Sequence, residues 1–560
     1  MHSDTNLNIP VGISDFEQIR KNGYYYVDKS GMIADLLQTE STAVTLITRP
    51  RRFGKTLGMR MLFSFFDIRK DSRDLFEGLE IAGNTKLCKQ WMNQYPVIFI
   101  SLKDVEGIVF ESAYEMLAAA VADLYKEHLY LLNSDRVRVY DKEIFLRIAK
   151  GQACATEVKK SLFLLITMMN MHYGRPVILL LDEYDVPLAA ASSHGYYDRM
   201  LEVIKTLMST TLKDNALMKF AVLTGCLKIA KESIFTGTNH FVSDTITSSR
   251  LNEYFGFTDD DVAKLLQDAD RADRAGHIKE WYDGYHFGAF DVYCPWDVMN
   301  YVRDLMRDPK AEPIGYWKNT SSNAIIRSFI DYAGGSITKK LEVLMTGGFI
   351  VQKIEEELTY DYLHASEDNL WSVLYLTGYL TKVREWNLSG KTDTGEIALK
   401  IPNREILDIF VTSVKVWFSD CAGAWNRKVL FDAVWSGDSV ALTEEMNKLL
   451  RITISYHDYK EDFYHAFLAG IFTGAGYIVE SNKEHGEGRS DIVVMDPSGA
   501  RAAVFEAKYA KTLNRLESDC YAAICQIDDR MYVQDLADFY DQVLCYGIAF
   551  FKKRCLVRRK

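Results

Sequence analysis

The chain has 560 residues, of which 48% are hydrophobic and 26% are charged, and it contains only ten prolines. This length exceeds the size of one hydrophobic core, so we expect two or three abutting globular domains, and the composition excludes long disordered linkers. The net charge of −11 disfavours nucleic acid as a partner, but residues 481–560 carry 13 Lys or Arg against 12 Asp or Glu. Nucleic-acid binding is therefore not excluded at the C-terminal end.

Targeting and redox signals are weak in this sequence. Residues 1–14 contain no basic patch followed by an apolar stretch, and no segment reaches about 18 uninterrupted apolar residues. Nine cysteines occur without a Cys-x-x-Cys pair, so neither a zinc site nor a disulfide framework is indicated. We expect a cytoplasmic protein with reduced thiols and no membrane segment.

Residues 42–48 form an apolar, β-branched run that is typical of a strand buried in a parallel sheet. The run leads into Arg49-Pro-Arg-Arg-Phe-Gly-Lys-Thr56 and then into a helical pattern, which is the context of a P-loop. In that geometry Gly54 lets the backbone approach the phosphates of ATP. Lys55 is then expected to contact the β- and γ-phosphates, and Thr56 to bind Mg²⁺.

The front of this loop departs from the usual P-loop pattern. Arg49 replaces the first glycine, so the chain must turn there in another way, for which Pro50 is a candidate. Arg52 and Phe53, which precede Gly54, are counted with the expected nucleotide-binding residues.

Two further strands end in polar residues. The apolar run 176–181 ends in Asp182 and Glu183, a Walker B pattern in which Asp182 holds Mg²⁺ and Glu183 polarises the attacking water. Alone, the pattern is equally consistent with a buried strand whose acidic end caps the next turn, and its pairing with the P-loop favours the ATPase interpretation. The strand 219–225 carries Thr224, a candidate sensor of the γ-phosphate. With helical stretches between these strands, a doubly wound parallel sheet is predicted.

A resemblance to a known family extends over nearly the whole chain. The motifs that carry it are Gly12-Ile-Ser-Asp-Phe16, Tyr26-Val-Asp-Lys29, the loop from Arg49 to Thr56, Leu181-Asp-Glu-Tyr-Asp185, Ala230-Lys-Glu-Ser-Ile-Phe235, Tyr254-Phe-Gly-Phe-Thr258 and Trp281-Tyr-Asp-Gly-Tyr285. Together they resemble the bacterial AAA-ATPase-like proteins with an appended PD-(D/E)XK nuclease. The resemblance also accounts for Arg49, because that family lacks the first P-loop glycine.

The C-terminal segment has the element order of a PD-(D/E)XK nuclease core. The pattern predicts helices over 462–475 and 513–531 and strands over 477–480, 491–495, 502–509 and 543–551. The resulting order is αβββαβ. Residues 496–500 form the turn between the second and third strands.

Candidate nuclease residues lie on these elements. Asp491 begins one strand and Glu506 lies on the next, where both offer the hard oxygen ligands that suit Mg²⁺. Strand alternation puts Lys508 on the face of Glu506, where it could orient the water or stabilise the transition state. Gln526 and His465 match positions at which the resembled family carries polar residues. On the Asp and Glu-x-Lys pattern alone, an ordinary surface strand is the commoner explanation.

The expected architecture is α/β: a P-loop, AAA-like parallel-sheet domain over 1–298, a mixed, mainly helical linking domain over 299–436 and a restriction-endonuclease-like domain over 437–560. The sequence of the linking domain carries no catalytic cluster.

The resemblance implies an ATPase that controls a Mg²⁺-dependent nuclease, with DNA favoured over RNA as the partner, homo-oligomerisation possible, and roles in mobile-element handling or phage defence. The alternative is a nucleotide-switched nucleic-acid-binding or assembly protein whose nuclease fold is inactive.

Overall fold

A computed structural model describes residues 7–38, 43–229, 241–317, 340–341, 343–356, 358, 366–384, 396–423, 428–453, 464, 467–469, 471–472, 477–485, 488–496, 500–529, 536–537 and 539–560. The chain divides into two compact units. The first combines Met1–Asn319 with Val351–Glu405, and the second combines Thr320–Ile350 with Ile406–Lys560. These units are defined by packing, and the three-domain division expected from the sequence stays a prediction.

The helices and strands of the described residues are numbered here in chain order. The helices are α1 Phe16–Lys21, α2 Gly31–Leu37, α3 Lys55–Phe66, α4 Arg73–Phe76, α5 Thr85–Trp91, α6 Phe110–Lys126, α7 Val139–Ala149, α8 Ala155–Lys159, α9 Ser161–Tyr173, α10 Val186–His194, α11 Tyr197–Leu212, α12 Asp259–Asp268, α13 Ala275–Tyr282, α14 Pro295–Arg307, α15 Glu367–Leu376, α16 Arg404–Gly423, α17 Lys428–Ser436, α18 Ser439–Thr453 and α19 Leu516–Asp529. The strands are β1 Val44–Thr48, β2 Val97–Ser101, β3 Val177–Asp182, β4 Met218–Gly225, β5 Phe241–Asp244, β6 Tyr285–Phe287, β7 Phe290–Val292, β8 Ile350–Lys353, β9 Thr381–Lys382, β10 Glu396–Lys400, β11 Ile478–His485, β12 Gly488–Asp496, β13 Arg501–Tyr509, β14 Gln542–Phe551 and β15 Arg554–Arg559.

The first unit contains a five-stranded sheet in the order β2-β3-β4-β1-β5, in which all neighbouring strands are parallel. Strands β1 and β3 are buried along their whole length, which explains their continuous apolar sequences. The predicted parallel α/β sheet is therefore confirmed. Because the strands run in one direction, their last residues lie at one edge: Thr48 of β1, Ser101 of β2, Asp182 of β3 and Gly225 of β4.

Helix α3 follows the P-loop and anchors it to the sheet. Gly54 caps this helix in the left-handed backbone conformation, with φ at 85°, which glycine adopts at little cost. The buried side of α3, including Leu62 and Phe65, packs in one core cluster with Ile178 of β3 and Val222 of β4. The loop is thus held between a buried strand and a buried helix.

Residues that follow the parallel sheet form smaller elements. Strands β6 and β7 form a hairpin, and β8, β10 and β9 form a three-stranded sheet in that order. Two segments in this stretch, residues 370–383 and 396–402, contain buried apolar side chains such as Leu374 and Leu399. They correspond to α15 with β9 and to β10 respectively.

The second unit contains a five-stranded mixed sheet in the order β11-β12-β13-β14-β15. Strands β13 and β14 are parallel and are connected through α19, while the other neighbours are antiparallel. Val504 packs with Ile527 of α19 on one face, and Phe505 packs against Phe472 on the other. The predicted order of four strands and the second helix along the chain is confirmed, with β15 as an additional strand. The predicted first helix, 462–475, lies largely outside the described residues.

The basic C-terminal segment is part of this sheet, while the side chains of Arg554, Arg558 and Arg559 remain exposed. Residues Arg554–Arg559 form β15, which pairs with β14 and buries Cys555 and Val557. Among the described residues, no helix is both long enough and apolar enough to cross a membrane.

Candidate nucleotide and nuclease sites

Asp182 lies at the centre of a hydrogen-bonded group at the carboxyl edge of the parallel sheet. The Thr56 hydroxyl donates to its Oδ2 (2.9 Å), and the Thr224 hydroxyl donates to its Oδ1 (2.5 Å). Ser101, at the end of the neighbouring strand β2, also donates to Oδ2 (3.3 Å). The three predicted residues Thr56, Asp182 and Thr224 are therefore brought together in one group.

Lys55 and Glu183 lie beside this group. The Lys55 amine donates to the carbonyl oxygens of Arg49 (3.0 Å) and Pro50 (3.1 Å), and its Nζ is 3.5 Å from Glu183 Oε1. Glu183 Oε2 is buried and has no hydrogen-bond partner among the described residues. Such an orphaned oxygen beside a cationic amine leaves room for a further polar group at this position.

The backbone at Glu183 is also unusual. Its φ is 54°, in the left-handed region that a residue with a Cβ enters at a cost of about 1 kcal/mol. The Glu183 N–H donates to the Thr224 hydroxyl (3.4 Å), so the strained turn after β3 is fixed against β4. Strain held in this way is typical of functional sites.

Burial sets the protonation behaviour of the group. It raises the pKa of the Asp182 carboxyl above its ordinary value, and the hydrogen bonds from Thr224 and Thr56 oppose that rise. For Lys55, burial lowers the pKa, but the nearby Cys226 and the surrounding carboxylates outweigh burial and raise it. The amine is therefore held as a cation at the point where a phosphate group is expected.

Arg49 replaces the first glycine of the P-loop, and its buried side chain fixes the turn of the chain at that point. Its guanidinium is completely buried and donates to the carbonyl oxygens of Thr48 and Asp244, both at 2.7 Å. Burial lowers the pKa of Arg49 to about 9, and the guanidinium lies over the Phe255 ring at 5.2 Å. The side chain thus ties the end of β1 to β5.

Arg52 and Phe53, the two predicted residues before Gly54, contact aromatic residues from later parts of the chain. Phe53 is completely buried, with its ring 4.9 Å from that of Tyr285. Arg52 adopts a left-handed backbone conformation, with φ at 73°. Its guanidinium lies 5.2 Å from the Trp296 ring and 5.8 Å from the Trp317 ring.

A cavity of about 280 Å³ opens beside the P-loop. The loop residues Arg52 to Gly58 form one wall, and residues 10–14 with Trp296 and Phe257 form others. The lining is mainly apolar and aromatic, which is the usual character of a pocket for a flat organic ring.

In the second unit, the buried Glu506 carboxylate forms an ion pair with the partly exposed Lys508 amine. Glu506 is completely buried, and the Lys508 amine donates to its Oε1 (3.2 Å). The register of β12 and β13 pairs Ile492 with Phe505, so the next antiparallel position puts the backbone of Asp491 opposite Glu506. The side chain of Asp491 lies outside the described residues.

Helix α19 covers the face of the sheet that carries Glu506. Gly547 pairs with Glu506 in the register of β13 and β14, and a Cβ there would lie 2.7 Å from the carbonyl oxygen of Cys520 on α19. Gln526 is half-buried on this helix, and His465 lies outside the described residues. No group of three or more His, Cys, Asp or Glu that could hold a metal occurs among the described side chains.

Sequence reasoning missed Ser101 and Asp185. Ser101 ends a strand that the sequence predicted, so a polar residue at the carboxyl edge was a usable signal. Asp185 is buried and accepts the N–H groups of Cys226 (2.9 Å) and Leu227 (3.0 Å), which fixes the turn after β4. The contact between Asp185 and the turn after β4 is evident only from the fold.

Comparison with known proteins supports both parts of this description. Residues 10–235 match the family model described as "Predicted AAA-ATPase", and residues 459–560 match that of the PD-(D/E)XK nuclease superfamily. The chain is also 27% identical over 402 residues to "Uncharacterized protein in vnfD 5'region" of Azotobacter chroococcum mcd 1, which covers 71% of this chain and 68% of that relative. The two matches agree with the architecture predicted from the sequence, because a segment that matches the AAA-ATPase model precedes a segment that matches the PD-(D/E)XK nuclease superfamily model.

Proposed function

We propose that the protein binds and hydrolyses ATP with Mg²⁺, and that nucleotide binding controls Mg²⁺-dependent cleavage of nucleic acid, with DNA favoured over RNA, by its C-terminal domain. The observation that carries the ATPase part is the Asp182 group. One buried carboxylate accepts the hydroxyls of Thr56 and Thr224 beside the Lys55 amine and the orphaned Glu183 oxygen.

The donor set fits a nucleotide with its metal ion. Mg²⁺ is usually held by one or two carboxylates together with substrate phosphates, and Asp182 and Thr56 supply one carboxylate and one hydroxyl in contact with each other. When bound, Mg²⁺ would neutralise charge on the phosphates. The raised pKa of Asp182 through burial fits a carboxylate that gains by the approach of a cation.

Lys55 and Glu183 have separate roles in this proposal. Lys55 exchanges the carbonyl oxygens of Arg49 and Pro50 for phosphate oxygens, which stabilise its charge better. Glu183 loses its ion-pair partner in that exchange and becomes free to orient the attacking water. The adenine ring and ribose occupy the apolar cavity beside the loop.

In the C-terminal domain, Asp491 and Glu506 hold the divalent cation from facing backbone positions, and Lys508 orients the water or stabilises the transition state. The buried Glu506 carboxylate, with Lys508 3.2 Å away, supports this assignment. A carboxylate buried in this way is costly to ionise, and a divalent cation bound beside it would offset that cost.

The experiment uses the full-length protein and titrates fluorescent ATP in the presence of Mg²⁺. Lys55→Ala should lower the affinity about 30-fold or more, because losing a buried charged partner costs at least about 2 kcal/mol. The control is Lys103→Ala, whose side chain is 65% exposed and which should bind as the wild type does. Equal affinity of both variants would remove the P-loop assignment.

Cleavage is measured in parallel on linear and circular DNA and on RNA, with Mg²⁺, Mn²⁺ or Ca²⁺. Metal-dependent cleavage of DNA in preference to RNA is expected. Nucleotide binding without cleavage of any substrate would instead favour a nucleotide-switched binding protein.

A further inference from the structure

The stretch between the two family matches contributes directly to the P-loop. Gly378 follows α15 in a left-handed conformation, with φ at 87°, and a Cβ placed on it would lie 2.9 Å from Pro50 Cβ and 3.1 Å from Pro50 Cγ. Cβ atoms essentially never approach another heavy atom within 3.0 Å, so the contact at 2.9 Å would force Pro50 to shift. Glycine is therefore needed at position 378 both for its backbone conformation and for the close approach of Pro50.

A second contact joins the same stretch to the loop through Trp317. The Arg52 guanidinium lies 5.8 Å from the Trp317 ring, and that ring stacks on Tyr379 at 5.5 Å with an interplanar angle of 20°. Tyr379 is the neighbour of Gly378 in sequence. Pro50 and Arg52 thus contact one surface, made of Gly378, Tyr379 and Trp317.

Trp317 is itself held firmly. Its ring is buried, and its backbone N–H donates to Glu405 Oε1 (2.7 Å). Glu405 is buried beside Asp297, at the start of α16. An indole fixed on both its ring and its backbone provides a rigid wall for the guanidinium.

The composition of the loop explains why such support is needed. Arg49 stands where a P-loop usually has its first glycine, and Pro50 has no N–H to fix a turn by hydrogen bonding. Arg52 is strained at φ 73°, and the hydrogen bond that its guanidinium donates to the Tyr316 carbonyl is long at 3.5 Å. The shape of residues 50–53 therefore depends on packing in addition to the hydrogen bonds that Lys55 donates to the Arg49 and Pro50 carbonyl oxygens.

We infer that Gly378 and Trp317 are positioning residues of the nucleotide site, which hold residues 50–53 in the shape that presents the loop to phosphate. The inference rests on the proposed nucleotide function for its effect on ATP. It assigns a role to a stretch of the chain in which the sequence alone indicated none.

The test compares Gly378→Ala with Gly195→Ala in the full-length protein. Gly195 also has a left-handed backbone, with φ at 75°, but nothing lies within 4 Å of an added Cβ. Both variants therefore acquire similar backbone strain, and Gly378→Ala alone collides with the P-loop. Gly378→Ala should weaken fluorescent-ATP binding at least tenfold and raise the KM for ATP more than it lowers kcat, while Gly195→Ala should change either value less than twofold.

A rescue variant and a nucleotide-free measurement complete the test. Pro50→Gly removes both atoms that the new Cβ meets, so the double variant Pro50→Gly/Gly378→Ala should bind ATP more tightly than Gly378→Ala alone. Hydrogen exchange of residues 51–56 without nucleotide should be faster in Gly378→Ala and in Trp317→Ala than in Gly195→Ala. Equal exchange and equal affinity in the two glycine variants would overturn the inference, whereas faster exchange in a protein that never binds ATP would instead contradict the proposed function.

Discussion

The nucleotide-binding region and the C-terminal sheet assemble their candidate residues in different ways. Around Asp182, contacts come from Thr56, 126 residues earlier, and from Thr224, 42 residues later. In the C-terminal sheet, Glu506 and Lys508 are two residues apart, and Asp491 lies on the adjacent antiparallel strand.

The geometry of each site depends on a different feature of the fold. The first site depends on the packing of many distant elements, so a change far from the loop is expected to alter it. The second depends on the register of two neighbouring strands, where a shift of one residue would turn Glu506 to the other face. Substitutions in the second site should therefore affect cleavage locally and non-additively. Substitutions far from the first site should affect nucleotide binding through changes in packing.

The largest effect is expected in the C-terminal sheet. Asp491→Ala and Lys508→Ala should each lower nucleic-acid cleavage by about 1000-fold or more, because residues that act as one catalytic unit fail together. The double variant should be scarcely worse than either single one. Lys508→Ala should retain metal binding, measured by calorimetry with Mg²⁺ or Mn²⁺, whereas Asp491→Ala should weaken it.

The control for this pair is Lys511→Ala, a nearby exposed lysine that should leave cleavage unchanged. Metal-dependent cleavage that survives both single substitutions would contradict the assignment of the nuclease site.

A smaller effect is expected from Glu183→Gln in the first unit. Water activation is removed while the phosphate contacts remain, so ATP hydrolysis should fall about 100- to 1000-fold with affinity little changed. Phosphate release and fluorescent-ATP titration measure the two quantities. Glu202→Gln, at an exposed position, should hydrolyse ATP normally, and normal hydrolysis by Glu183→Gln would make Glu183 a structural residue only.

The two regions also differ in how much of their structure could be predicted from the sequence. The strand ending in Asp182 and the Gly54-Lys55-Thr56 triplet were readable because each is a local pattern. The support of Pro50 by Gly378 was not readable, because the two residues are separated by more than 300 positions and neither has a distinctive neighbourhood. A glycine in a turn has the same sequence signature whether or not another backbone approaches it.

In the C-terminal sheet the strand order and the positions of Glu506 and Lys508 were predictable from alternation. Strand β15 was not, because Arg554–Arg559 is short and basic, and only Cys555 and Val557 are buried when it pairs with β14. The roles assigned to Asp491, Gln526 and His465 stay predictions.

The smallest effect is expected on the pH dependence of stability, through the buried acids Glu405 and Asp297 near Trp317. Burial, together with Asp297, raises the pKa of Glu405 to about 10 from an ordinary value of 4.5, and burial raises that of Asp297 to about 6. The folded protein thus holds protons that the unfolded chain releases. The resulting stability is fully present below the unfolded pKa and is lost as the pH rises through the folded values.

The unfolding temperature of the wild type should therefore fall between pH 5 and pH 10, and Glu405→Gln should reduce that fall by a few degrees because the amide cannot ionise. The amide oxygen still accepts the Trp317 N–H, so the contact is kept. Differential scanning calorimetry across this pH range measures the difference, with the exposed Glu396→Gln as the control. Identical pH dependence of the two variants would contradict the buried acid pair.

Control of cleavage in the C-terminal domain by nucleotide in the first unit can be measured in a single assay. Cleavage of a DNA substrate with Mg²⁺ is followed in the wild type and in Lys55→Ala, each with and without ATP. We expect ATP to change the wild-type rate about tenfold, equivalent to a coupling of about 1.4 kcal/mol, and to leave the rate of Lys55→Ala unchanged. A wild-type cleavage rate that is the same with and without ATP would contradict this expectation.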